Sequence, residues 1–289
     1  PYTTLFRSPS SGPLVGPRPE GTRAMPTTTP PAPPIDASLI ARLQAAGQSH
    51  LLRFAPTLTP DRRAALLAQI EALDLSAIPS LVETYVKSKP TFLLPASVEP
   101  APYYPNNHAS KSRAWDRARF EKAGQDLIRA GRVACFTVAG GQGTRLGYDG
   151  PKGCYPAGAV SRKPLFQLFA EQILAHSRRS GKDVPWYVMT SPLNHDATVA
   201  FFRANDFFGL PPSSVMCFPQ GVMPSFDMKT GRVLLAAPGE IATNPDGHGG
   251  SITALHRSGA IADMKRRGIT TLSYFQVDNA TVQALDPAF

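Results

Sequence analysis

Val138-Ala139-Gly140-Gly141-Gln142-Gly143-Thr144-Arg145-Leu146-Gly147, followed at once by Pro151-Lys152-Gly153, is the stretch that decides the fold. Ahead of it runs Arg132-Val133-Ala134-Cys135-Phe136-Thr137, an apolar, β-rich segment that reads as a buried strand. A strand that breaks into four glycines within eight residues lets backbone N–H groups approach a ligand, because no Cβ stands in the way. Arg145 and Lys152 bring two cations to the same turn. Bare amides with Arg and Lys form the chemistry that holds a polyphosphate. The spacing excludes two common glycine loops. A Walker A loop carries Lys-Ser or Lys-Thr after its last glycine, but Tyr148-Asp149 follows Gly147. A dinucleotide fingerprint from Gly141 and Gly143 requires Gly or Ala at 146, where Leu146 stands. A glycine turn serving shape alone accounts for neither Arg145 nor Pro151-Lys152-Gly153.

Outward from this loop, strands alternate with helices. Trp115 to Ala130 is a predicted helix leading into the strand. Ser161 to Ser180 is another, with Leu165, Phe166, Phe169, Ile173 and Leu174 on one face. Strands are predicted at 186–190, 214–218 and 270–277, with helices at 196–205 and 252–267. This order predicts an α/β fold, a doubly wound mixed sheet. The pattern from Asp36 to Val86 is helical, with Thr59 and Pro60 as a helix start. The predicted organisation is a disordered leader 1–35, a small N-terminal helical domain 36–87, a connector 88–112 and a nucleotide-binding catalytic domain 113–289. Pro1 to Ser8 reads as the translation of a sequencing adapter, so residues 1–24 are expected to be artefactual, with a start at Met25. The Asp286-Pro287 turn before Phe289 leads onward, as expected of a fragment.

The chain has 289 residues, 42% hydrophobic, with a net charge of +9. Cys135, Cys154 and Cys217 are far apart, with no CxxC pair, and suit a reducing, cytoplasmic setting without a metal cluster. No apolar run reaches the roughly 20 residues of a spanning helix, so no membrane partner is expected. The basic balance implies acidic partners such as phosphates or nucleic acid. A nucleic-acid face built on Lys111, Arg113, Arg117, Arg119, Lys122, Arg129 and Arg132 is the rival reading, but Asp116, Glu121 and Asp126 interleave with those cations as on a solvated helix. No nucleic-acid partner is therefore expected.

Three further constellations carry chemistry. Pro219-Gln220-Gly221 closes a strand, where an amide could read a base edge by donating and accepting together. Taken alone, Gln220 reads equally as a turn residue. Asn244-Pro245-Asp246-Gly247-His248-Gly249-Gly250 is a second glycine-rich turn at a helix start, with His248 either a ligand contact or a structural hydrogen bond. Asp278, at the tip of the last strand, is placed to hold Mg²⁺ through one or two oxygens while phosphates fill the other positions, or else to cap a turn. Together with the first loop these favour nucleotidyl transfer with Mg²⁺.

The glycine loop with Pro151-Lys152-Gly153, then Ser161-Arg162-Lys163-Pro164-Leu165-Phe166-Gln167, Pro219-Gln220-Gly221, Pro245-Asp246-Gly247 and Val277-Asp278-Asn279, resembles in order the signature of UDP-sugar pyrophosphorylases. The similarity is greatest to the eukaryotic-type UDP-N-acetylglucosamine pyrophosphorylases and runs from about Trp115 to Phe289. It implies a fold of the nucleotide-diphospho-sugar transferase type. The implied reaction converts UTP and N-acetylglucosamine 1-phosphate to UDP-N-acetylglucosamine and pyrophosphate, with Mg²⁺. It further implies that Val138, Ala139, Gly140 and Gly141 hold the uridine and phosphates, and that Gln220 and Gly247 contact uracil. Arg145 and Lys152 would be the catalytic partners of phosphate charge and Asp278 the metal ligand. The sequence departs from the pattern at His248, where N-acetylglucosamine-type enzymes usually carry Asn, so His248 is the candidate sugar-reading residue. Glucose 1-phosphate and galactose 1-phosphate are the alternative acceptors, and a nucleotide-binding relative without turnover is the non-catalytic alternative. The family continues well past Phe289 with further sugar contacts and a phosphate-binding lysine, so these 289 residues alone are expected to be inactive or nearly so.

Overall fold

The computed structural model describes residues 34–88, 95, 97–111 and 113–289. The expected leader lies largely outside them. The frame is a four-stranded sheet, all parallel, in the order β3-β2-β1-β8, where β1 is Val133–Val138, β2 Trp186–Thr190, β3 Val215–Pro219 and β8 Thr271–Gln276. Antiparallel pairing is confined to two small ribbons, β4 (Val222–Pro224) with β7 (Thr243–Pro245) and β5 (Leu235–Ala237) with β6 (Glu240–Ile241).

Strand alternation assigns each side chain to a face. Cys135, Trp186, Val188 and Phe275 point into a core under α5 (Leu165–Ser180) and α6 (His195–Ala204), filled by Phe166, Phe169, Ile173 and Phe202. Ala134, Phe136, Tyr187, Met189 and Phe218 face Ala254 and Leu255 of α7 (Ser251–Arg257) and Ala260 and Met264 of α8 (Ala260–Arg267). Burial on both faces is why β1 and β2 are near-continuous apolar runs. Their buried polar atoms are satisfied: Trp186 Nε1 donates to Thr137 Oγ1 at 2.7 Å, and the Tyr187 hydroxyl donates to Asp263 Oδ2 at 2.7 Å. α4 (Arg117–Arg129) adds Ile128 to the first core. Its cations pair along its own surface, Arg117 with Glu121 and Lys122 with Asp126.

Two helix boundaries differ from the sequence expectation. The helix predicted from Ser161 begins at Leu165, because Pro164 disfavours a helical residue before it and Arg162 turns left-handed at φ 55°. The helix predicted over 252–267 is two helices, broken at Gly259, whose φ of +81° ends the first and begins the second. The two ribbons were not anticipated. Strands of two or three residues are too short to show a period.

N-terminally, α1 (Ala37–Ala45), α2 (Pro60–Glu71) and α3 (Ile78–Leu81) gather Leu39, Leu43, Leu51, Leu66, Ile70 and Ile78 into a third core. Asp36 caps α1 by accepting from the Ser38 N–H at 3.0 Å. Thr59 occupies the N-cap of α2, but its side chain makes no capping bond there, and Pro60 supplies the preset first turn. This core is closed by Val233 and Ile241 from the ribbon region.

All three cysteines are unpaired. Burial pushes the Cys154 thiol up to about 12, from an ordinary value of 9.0. A raised folded value gives stability that is complete below the unfolded value near 9 and is lost as pH climbs towards 12, at no more than about 1.4 kcal/mol per pH unit for one thiol. Melting temperatures measured from pH 8 to 11 are expected to fall, and to fall less steeply in Cys154→Ala. Parallel curves for the two proteins would refute a buried neutral thiol.

Candidate functional site

The C-terminal ends of parallel strands are where an open α/β sheet binds ligands, above all where the strand order reverses. That point lies here beside β1, with β2 on one side and β8 on the other. Four segments follow the strands at this edge: the glycine loop after β1, Ser191 after β2, Gln220 after β3 and Asp278 after β8, whereas the second glycine turn follows β7 of the ribbon.

The loop is built from long-range contacts. The Ala139 N–H continues the ladder by donating to Met189 O at 2.7 Å. Gly143 N donates to Gly150 O at 2.8 Å and Lys152 N to Gly141 O at 3.0 Å, closing residues 141–152 into a hairpin-like loop. Asn194, only 1% exposed, anchors it from the turn after β2: Nδ2 donates to Ala139 O at 3.1 Å, and Oδ1 accepts from Ser191 N at 2.8 Å. Sequence reading missed Asn194. Its signal was the Ser191-Pro192-Leu193-Asn194 turn, which looks like an ordinary helix approach.

Each glycine has its own reason. A Cβ on Gly140 would stand 2.9 Å from Gln220 Nε2, and one on Gly141 would stand 3.4 Å from Lys152 Nζ. Gly143 makes room for Tyr148, whose hydroxyl burial and nearby Cys154 keep protonated by raising its pKa. Gly147 closes the turn at φ +65°, and Gly153 accepts the Phe166 ring against its backbone.

The charges meet across the loop. Lys152 Nζ lies 3.0 Å from Asp278 Oδ2, with the lysine 22% and the aspartate 52% exposed. Lys152 thus stands over the glycine backbone with one side open. Gln220 is 8% exposed, its N–H donates to Thr190 O at 2.8 Å, and its side-chain amide makes no hydrogen bond among the described residues. That amide keeps some access to solvent, so it is open to a ligand's donors and acceptors. Ser191 Oγ, after β2, is buried without a partner among the described residues.

The second glycine turn is tied to the turn after β3 by Asp246, a residue of the quoted motif to which the sequence reading gave no role of its own. Its N–H donates to Gly221 O at 3.2 Å, and its carboxylate fills the space above Gly221 and Gly250 where side chains would otherwise be. Gly247 adopts φ +67° with open space where a Cβ would be. His248 is exposed and stands edge-on to Tyr274, with ring centroids 6.5 Å apart. Val138 is half-buried at the end of β1. Arg145 lies on an exposed single turn, Thr144–Leu146, and forms no ion pair among the described residues. The structure therefore joins Gly141, Lys152 and Asp278, and separately Gly140 and Gln220, while Arg145 makes no hydrogen bond or ion pair with either group among the described residues.

No set of three or more His, Cys, Asp or Glu side chains converges as a metal cage among the described residues. A lone carboxylate at a strand end fits an ion that keeps its water and takes phosphate oxygens for the rest of its shell, as Mg²⁺ does. Nor is any described helix long and apolar enough to cross a membrane.

The chain is 36% identical over 283 residues to UDP-N-acetylglucosamine diphosphorylase 2 of Arabidopsis thaliana, covering 93% of this chain and 56% of that protein. It is 40% identical over 260 residues to the human UDP-N-acetylhexosamine pyrophosphorylase-like protein 1, covering 86% and 51%. The uridine diphosphate N-acetylglucosamine pyrophosphorylase structure from Trypanosoma brucei superposes with a TM-score of 0.70 at 28% identity, covering 87% of this chain and 53% of that one. The chain spans about half the length of the curated relatives it matches. The profile described as UTP–glucose-1-phosphate uridylyltransferase matches residues 105–289, and with that match over the sheet and its loops the chain belongs to this uridylyltransferase family.

Proposed function

We propose that the protein transfers uridylyl groups from UTP to a sugar 1-phosphate, N-acetylglucosamine 1-phosphate in the first instance, releasing pyrophosphate. The observation that carries this is the placement of Lys152 over the glycine backbone, on the same strand edge as the unpartnered amide of Gln220. One end of that edge suits phosphates and the other suits a base. The names of the similar plant and human proteins supply the acetylated sugar.

The chemistry needs little from the protein beyond position and charge. The sugar phosphate is already an anion, so its oxygen attacks the α-phosphorus of UTP without a general base. The new P–O bond forms as the bond to the β-phosphate oxygen breaks, and pyrophosphate leaves with that electron pair. Such a transfer is accelerated by in-line positioning and by neutralising the departing charge. Lys152 and Arg145 supply cations, Val138 to Gly141 supply backbone, and Gln220 and Gly247 orient uracil. Asp278 would hold Mg²⁺, whose role is to neutralise phosphate oxygens. Three unpaired cysteines support a reducing compartment, and we place the reaction in the cytoplasm.

Calorimetric titration tests the nucleotide half: UTP is expected to bind at least about tenfold more tightly than CTP or ATP, the discrimination a hydrogen-bonding base pocket provides. Equal binding of all three, or none, overturns the reading. Pyrophosphate release over a panel of sugar 1-phosphates then tests transfer, using protein that includes the region its relatives carry beyond the aligned half.

His248 gives the glucose and galactose alternative a specific footing, since it is exposed beside Tyr274 where an Asn is usual. Exchange of His248→Asn is expected to move the kcat/KM ratio of N-acetylglucosamine 1-phosphate to glucose 1-phosphate by about tenfold, roughly one hydrogen bond. An unchanged ratio removes His248 from sugar recognition.

A further inference from the structure

The two turns assigned to the base are the two ends of one segment. Gln220-Gly221 leads into β4, and β7 leads into Asp246-Gly247, with Val222 paired to Pro245 at the root of the ribbon. Between them residues 222–245 project away from the sheet as a continuous hydrogen-bonded arm. Ser225 N donates to Ala242 O, Leu234 N to Ser225 O and Ala242 N to Leu234 O, all within 2.8–2.9 Å. Asn244 Nδ2 donates to Ser225 Oγ at 2.7 Å. A three-residue ladder backed by these bonds links the two turns to the far end of the arm.

The far end of the arm is held by the N-terminal helices. Gln48, 3% exposed, donates through Nε2 to Gly231 O and Ala46 O, both at 3.2 Å, and accepts from Val233 N at 2.9 Å. His50 Nε2 donates to Val233 O at 2.8 Å, and Gln69 Oε1 accepts from Ile241 N at 2.9 Å. Val82 packs on Gly231 and Leu58 on Gly239 so closely that neither glycine has room for a side chain. Val233 and Ile241 complete the helical core. By contrast, residues 139–152 and Asp278 make no hydrogen bond to residues 222–245 among those described.

We infer that Gln48 is a positioning residue for the nucleobase: through Gly231 and Val233 it sets the arm whose two ends present Gln220 and Gly247, and it leaves the phosphate end of the site untouched. The inference rests on the proposed UTP reading. Its physical basis is that losing Gln48 leaves the arm's buried Val233 N–H and Gly231 carbonyl without that partner, which favours a shift of the arm.

The test separates base from phosphate. Gln48→Met keeps the side chain's length and removes its hydrogen bonds. UTP and inorganic tripolyphosphate are titrated into wild type and variant. UTP affinity is expected to fall at least about fivefold, with tripolyphosphate within about twofold. A parallel loss of both, or an unchanged UTP affinity in a folded variant, overturns the inference. Gln69→Met, which frees only the Ile241 N–H, provides the same split should Gln48→Met not fold. Arg42→Ala breaks the Arg42–Glu71 pair within the helices and away from the arm, and is expected to leave both affinities unchanged. Wild type that binds tripolyphosphate with no preference for UTP would instead sink the UTP reading itself, a distinguishable result.

Discussion

Lys152→Met is expected to weaken UTP binding by about 10- to 100-fold, the worth of one charge-assisted phosphate contact, and to lower turnover by on the order of 10². The protein is expected to stay folded. The ion pair that Lys152 forms with Asp278 is partly exposed on both sides, and such pairs contribute at most about 1 kcal/mol. The geometry gives a second, opposite-signed expectation. Asp278 competes with phosphate for the same ammonium group, 3.0 Å away. In metal-free buffer, Asp278→Asn is therefore expected to tighten UTP binding by a few-fold, because it frees Lys152 and removes a like charge facing the phosphates. Calorimetry on the two variants checks both signs. Unchanged affinity in Lys152→Met would take the lysine out of the phosphate site, and weaker metal-free binding in Asp278→Asn would show that the carboxylate does not compete.

The sheet was legible because β1 and β2 are buried on both faces, so their apolar runs announce central strands, and because a glycine loop after such a strand marks a ligand edge. Lys152 and Asp278 lie 126 residues apart, and only the order of the motifs suggested that they meet. What could not be read is whatever depends on a distant side chain. Gly140 and Gly153 look alike in sequence, yet one makes way for Gln220 and the other for Phe166. Gln48 carries no local signal, and the turns that hold Asn194 and Asp246 do not show what those side chains do, since each is defined by the backbone carbonyls and turns it reaches across the chain. The arm at 222–245 was invisible for the same reason. Its strands are held by the helical core and not by their own periodicity.

Gly153→Ala is expected to damage the fold, and Gly140→Ala to damage the site alone. A Cβ at Gly153 would overlap the Phe166 ring, which is fully buried and wedged against Phe202 and Trp186, with centroids 4.9 and 6.1 Å away. That ring has nowhere to move, so overpacking of about 1–3 kcal/mol follows, a fall in melting temperature of roughly 2–12 °C. Phe166→Leu in the same chain is expected to return part of the loss, because it empties the space the new methyl needs. At Gly140 the obstacle is only the mobile tip of Gln220, at 2.9 Å. The methyl displaces that amide, the core is unaffected, and UTP affinity is expected to fall about tenfold with melting unchanged. A cycle with Gln220→Ala decides the cause. If Gly140 is glycine for the sake of Gln220, Gly140→Ala costs no further affinity once Gln220 is gone. A full second loss in the double variant would mean that the glycine serves the approach of phosphate to the backbone, and that Gln220 reads the base independently of it.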